Sequence, residues 1–187
     1  MTGMYQTDAT NTAEDKDLDL ILGDWVSDVT GIPRNLCRRR WQESPPTQPP
    51  RDTDWCAVGV TQVDTDQNTW QGYDGTEYAV RIHETISALF SFYGPNATQN
   101  ALTLRMCLTV DYNRGSLTEN GIAFLRSSPS VRVPAIINQL TLMRTDVTVQ
   151  FRRQEKRIFP IKTVLSSQGT IMTDDGISST FNTEDVK

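Results

Sequence analysis

The stretch EYAVRIHETISALFSFY, residues 77–93, decides the fold. Tyr78, Val80, Ile82, Ile86, Ala88, Phe90 and Phe92 alternate onto one face, and only Glu84 interrupts it. A period of two sustained this long is a β-strand with one buried side. At roughly 3.3 Å per residue such a strand spans about 50 Å. That is long for a chain of 187 residues, so the strand is expected to bend or to leave the body in part. His83 and Glu84 are neighbours on it and point to opposite faces, so they form no local acid–base pair.

Working outward, WCAVGVTQV (55–63) alternates as a strand, and DTDQNTWQGYDGT (64–76) reads as a loop or hairpin tip. Downstream, TDVTVQFRRQEKR (145–157) alternates through Val147, Val149 and Phe151. IAFLR (122–126) is a short strand, SSPSVRVPAIIN (127–138) a loop, Lys162 to Leu165 a further strand, and a hairpin is expected around Gly169. Two helices accompany them. In LDLILGDWVSDVT (18–30), Leu18, Ile21, Leu22, Trp25 and Val29 make one stripe. Asp17 suits its start, and Gly31 with Pro33 its end. Gly23 inside it costs about 1 kcal/mol against alanine and leaves room for a close neighbour. In GPNATQNALTLRMCL (94–108), Pro95 suits the first position and Ala97, Ala101, Leu104 and Leu108 form the stripe. Ser116 and Glu119 stand at capping-box spacing, which predicts a helical turn.

The order helix, strands, helix, strands gives an α+β domain: a mainly antiparallel sheet with two main helices packed on one face. Residues 1–16 are expected as a flexible acidic arm, 17–173 as the single domain and 174–187 as a flexible acidic tail. The chain is long enough for one substantial core. It contains no run of about 20 apolar residues, so no membrane partner is expected, and its polar start is unlike a signal peptide.

Chemistry is sparse. With one histidine and three scattered cysteines (Cys37, Cys56, Cys107) a zinc site is not expected, and the thiols read as buried and free. The acidic clusters lack calcium-loop spacing. No nucleophile elbow, zincin, phosphate-loop or dinucleotide motif occurs. No catalytic residue, metal or cofactor is therefore assigned, and an enzyme is not expected.

Charge is the informative feature. The net charge is −5, but residues 1–28 hold −6 and residues 174–187 hold −3, leaving 29–173 at +4. Nearly all of the bases are arginines, whose planar fork suits partly buried ion pairs at interfaces. They concentrate in LCRRRWQESPPTQPP (36–50) and QFRRQEKR (150–157). Arginine and tryptophan are enriched at interface hot spots, and a proline-stiffened segment loses little entropy on docking. Arg38, Arg39, Arg40 and Trp41 are therefore candidate subunit-interface residues, with Trp25, Arg152 and Arg153 beside them. Two readings of the segment stay open: a docking arm, or a surface strand with an internal cation–π contact and a rigid linker. The same arginines also allow a monomeric nucleic-acid-binding accessory protein.

The words LGDWVSDVTGIPRNLCRRRWQESPPTQPP, WCAVGVT and RIHETISALFSFYGPNA, followed in order by NRGSLTENGIAF, DVTVQFRR and IFPIKTVLSSQGTI, resemble the neck or tail terminator family of tailed bacteriophages. The likeness covers about residues 20 to 172. It implies a structural virion protein, assembled in the host cytoplasm and placed at the neck or tail. It further implies α+β subunits closing into a ring, usually a homohexamer, that caps the tail tube and joins it to the head-side connector. The partners so implied are other copies of the chain, the tail tube protein, the connector or adaptor protein, and genomic DNA passing through the lumen without sequence-specific binding. An acidic lumen repels phosphate and lets DNA slide. Reversing charge at Arg39 and Arg40 is expected to weaken assembly while leaving the monomer folded.

Overall fold

The computed structural model describes residues 15–44, 46–73, 78–137, 140–159, 166–176 and 178–184. In chain order, α1 (Asp15–Thr30) leads to β1 (Cys37–Arg39), β2 (Trp55–Thr65), β3 (Trp70–Tyr73) and β4 (Tyr78–Tyr93). Then come α2 (Ala97–Cys107), α3 (Gly115–Glu119), β5 (Ile122–Ser127), β6 (Val131–Arg132), β7 (Ala135–Ile137), β8 (Leu140–Leu142) and β9 (Arg144–Phe159). β10 (Ser166–Met172) and β11 (Ser178–Glu184) close the series. The fold is α+β with a mostly antiparallel sheet, as the alternation implied.

β4 is the spine. It pairs with β9 along all 16 of its residues, from Tyr78↔Phe159 to Tyr93↔Arg144. On its other side it pairs with β2 over Glu84–Tyr93 and with β3 over Tyr78–Arg81. β5 and β6 cover the outer edge of β9, and β1 adds to β2 in parallel.

The helices cover only half of this sheet. Ile86, Ala88, Phe90 and Phe92 of β4 and Val147, Val149 and Phe151 of β9 are buried beneath α1, α2 and α3. Trp25 of α1 sits between Phe90 and Phe151, edge-on to both, with ring centroids 6.2 and 6.4 Å away. Beyond Glu84 the same two strands run on past the helices of the described residues, and Tyr78, Val80 and Ile82 are only half-buried. The long strand thus outruns the helical layer while staying at least half-buried along its length.

Several local expectations are corrected. Residues 64–76 are not simply a loop, because β2 runs to Thr65 and β3 pairs with β4. The 127–138 loop contains β6 and β7, since the open edge of β9 supplies partners for Val131 and Arg132. The turn expected at Gly169 lies instead at 173–176, where Gly176 takes φ +76° and its N–H donates to Thr173 O at 2.9 Å. Residues 178–184, expected within a loose tail, form β11. The capping box at Ser116 is not made. α2 begins at Ala97, two residues after Pro95, because the Asp54 carboxylate captures Asn96, accepting from its backbone N–H at 2.9 Å and its side-chain amide at 2.8 Å. That approach requires Gly94: at φ +102° a Cβ there would lie 2.5 Å from Asp54 Oδ1. The arm expected at 1–16, up to residue 14, and the strand expected at 162–165 lie outside the described residues.

Candidate subunit-interface site

Cys37 and Cys56 face each other on β1 and β2, both buried in the core and both free. Burial pushes the Cys37 thiol up to about 11 and raises the Cys56 thiol well above its ordinary value, so both are neutral packing groups rather than reactive thiols. Their burial fixes the register of the arginines that follow. With Cys37 pointing into the core, Arg38 must point to the opposite, helix-free face of the sheet.

There the Arg38 guanidinium lies over the Trp55 ring, 5.8 Å from its centroid. Trp55 stacks on Tyr93 at 4.0 Å with the rings 4° from parallel. Arg144 lies over Tyr93 from the next strand, at 5.9 Å, and is held by two bonds to Asp146 of 2.7 and 2.6 Å. An arginine–indole–phenol–arginine row therefore crosses four strands. Burial raises the Tyr93 hydroxyl pKa, and the hydrogen bond to Asp146 raises that of Arg144.

The proline segment has a topological cause. Parallel neighbours cannot be joined by a tight turn, so the chain between β1 and β2 must cross over. It passes along the helix-free face, where Arg38 donates to Thr47 O at 2.8 Å and Pro49 is buried. Of the two readings left open by the sequence, the surface strand with an internal cation–π contact describes Arg38.

Arg40 continues the same way: its backbone N–H donates to Val58 O at 2.7 Å and its guanidinium to the Ser91 hydroxyl. The crossing needs Gly59, since a Cβ there would sit 2.9 Å from Arg40 Cβ. Gly23 has the same purpose on α1. Arg34 packs over it, with its guanidinium 3.2 Å from where a Cβ would stand, while pairing with Asp24 and donating to Cys37 O at 2.7 Å.

Arg39 and Trp41 differ. Trp41 is 63% exposed, its indole N–H donating to Val60 O at 3.2 Å. With Arg39, Asp19, Gln42, Glu43 and Val60 it lines an open groove of about 620 Å³ beside α1.

The remaining candidates serve their own chain. Trp25, an interface candidate that also stood in the apolar stripe of α1, is a core residue: it is 1% exposed and its N–H donates to Asn113 O at 2.7 Å. A Trp in an amphipathic stripe is equally a core anchor, and only the packing of α1 on the sheet decides which. Arg153 pairs with Glu84 at 2.7 Å, both side chains nearly buried. That explains the one acid on the apolar face of β4. Arg152 pairs with Asp66. His83 is half-exposed beside Gln154. What sequence reasoning missed is the pair Trp55 and Tyr93. The signal was present, because residues at the two ends of an antiparallel pair with matching parity lie opposite one another.

Among the described residues no cluster of three or more histidine, cysteine or acidic side chains stands ready for a metal, and no helix is long and apolar enough to cross a membrane. What defines this α+β domain at its surface is the row of arginines and aromatics across the sheet and the Trp41 groove. The family of phage neck terminator proteins matches the chain over residues 16–175. The chain belongs to that family, and its role is that of a structural protein of the phage neck. No curated protein matches it.

Proposed function

We propose that the chain is the ring-forming terminator of the neck. Six copies close head to tail, cap the tail tube and join it to the head-side connector, with genomic DNA passing through the lumen without sequence-specific binding. Assembly takes place in the host cytoplasm. Family membership supports the neck location. The observation that carries the contact is Trp41: a large ring, 63% exposed, fixed by its own hydrogen bond rather than left to swing, beside Arg39 in a shallow groove. A preorganised exposed indole next to an arginine is the chemistry of an interface anchor. Ring closure needs that patch to meet a different patch on the next copy.

The alternative, a monomeric nucleic-acid binder, is less well supported. Arg38, Arg40, Arg144, Arg152 and Arg153 are all engaged by groups of their own chain, so few forks are left for phosphate. The test is native mass spectrometry and negative-stain imaging of the full chain, with and without tube protein. Arg39→Glu combined with Trp41→Ala is expected to abolish rings with unchanged circular dichroism. Intact rings in that variant overturn this contact. A wild-type chain that stays monomeric yet binds DNA with a steep salt dependence overturns the ring.

A further inference from the structure

α2 carries apolar side chains on two sides. Ala97, Ala101, Leu104 and Leu108 are buried in the core. A helix packed on a core ordinarily turns a polar face outward. Here Leu102 and Met106, one turn apart, are exposed instead, and so is Val110 just past the helix end. With Arg105 and Cys107 they line an open groove of about 510 Å³. Arg105 is half-buried in it, and its Nε is buried without an acceptor. Arg38 and Arg40 also leave Nε unanswered, but each bonds within its own chain through another nitrogen. No such bond is made by Arg105 among the described residues. The groove therefore offers apolar area beside a cation short of partners.

The Trp41 patch has the complementary chemistry. Its indole is exposed and held in place, and Glu43, two residues on, is exposed in the same groove. We infer that Trp41 of one copy inserts into the Leu102–Met106–Val110 groove on α2 of the next copy, with Glu43 of the first paired to Arg105 of the second. Aromatic anchors at interfaces fill pockets on the partner, and a tryptophan can bury about 150–250 Å² there. Methionine adapts its shape to such a ring and makes favourable sulfur–aromatic contacts. The two patches belong to different parts of the subunit. Trp41 follows β1, the outermost strand beside β2, whereas α2 packs on β4 and β9. The contact is therefore heterologous and repeats from copy to copy around a ring. An α2 face meeting its own counterpart would be isologous and would close a dimer. The inference rests on the ring reading in that it requires a next copy, and it names the surface that receives Trp41.

Native mass spectrometry of the full chain over a dilution series tests it. Glu43→Arg and Arg105→Glu are each expected to raise the protomer concentration at which rings half-form by at least about tenfold. Both changes in one chain rebuild the pair in the reversed sense and are expected to recover most of that loss. Met106→Asp, at an exposed position, is expected to abolish rings with unchanged circular dichroism. Rings that persist in Met106→Asp overturn the groove contact and leave the ring standing; if those rings no longer bind tube protein, the groove receives the tube instead. A double charge variant as weak as the single ones shows that Glu43 and Arg105 do not meet, and overturns the pairing. Wild-type dimers with no larger species point to α2 meeting α2 and overturn it as well. A wild-type chain that stays monomeric at every concentration, with and without tube protein, overturns both this contact and the ring.

Discussion

The two halves of the β4–β9 pair are the same structure with different fates. Both are antiparallel, in continuous register and alternating in sequence. In the half from Ile86 to Tyr93, three helices cover one face and the arginine–aromatic row covers the other. In the half from Tyr78 to Thr85 the helices of the described residues give no such cover and Val80 and Ile82 are only half-buried, while on the other face Ala79 is buried and Arg81 lies over the Trp70 ring. Alternation makes a strand; the strand becomes core only where something packs on it. The half without helices is the part of this strand pair whose apolar face is left half-exposed.

The largest effect should come from truncating one apolar side chain in each half. Phe90→Ala is expected to cost about 3–5 kcal/mol, through lost transfer energy and a cavity beside Trp25. Ile82→Ala, half-solvated already, should cost under about 1 kcal/mol in the monomer. Urea titration of both variants at a concentration where the chain is monomeric would show it. Equal losses would mean that the two halves are not distinguished by packing.

Next in size is the boundary between them. Arg153→Met removes the partner of a nearly buried Glu84 and should cost about 2–3 kcal/mol. Adding Glu84→Gln should recover most of it, measured by the same titration. A single variant as stable as the parent would show that Glu84 is solvated and that the covered half ends earlier.

The smallest effect concerns pH and belongs to the covered half alone. Cys37 titrates near 11 when folded, against an ordinary value of 9.0, and burial raises Cys56 as well. A raised folded value means the stability is whole below pH 9 and declines as pH rises from 9 through 11, where the unfolded thiols ionise first. Cys37 alone is expected to account for a loss of about 2 kcal/mol over that window, and Cys37→Ala should lessen the slope. A flat profile for the parent would place Cys37 in contact with water.

Much of this was legible from residues in order. The helices at 18–30 and, apart from its start, 94–108, the strands at 55–63, 78–93 and 145–157, and a close neighbour for Gly23 follow from periodicity and from the special conformational freedom of glycine and proline. β3, β6 and β11 were not legible. Trp70–Tyr73 and Val131–Arg132 are too short for a period to register, and they are strands only because an edge of β4 or β9 offers hydrogen bonds. Trp25 was misplaced because an amphipathic stripe does not say what faces it.

By itself, then, the sequence determined the α+β class, the spine strand, the cluster of arginines around one tryptophan and the likeness to a neck family. Those depend on local periods, local charge and word order, which the chain carries within short windows. Only the tertiary structure decided which arginines are occupied by their own chain, that Trp41 rather than Trp25 is exposed, and where the helices stop covering the β4–β9 pair. Each of those depends on residues dozens of positions apart meeting through sheet register, and a one-residue shift in register would send every such side chain to the other face.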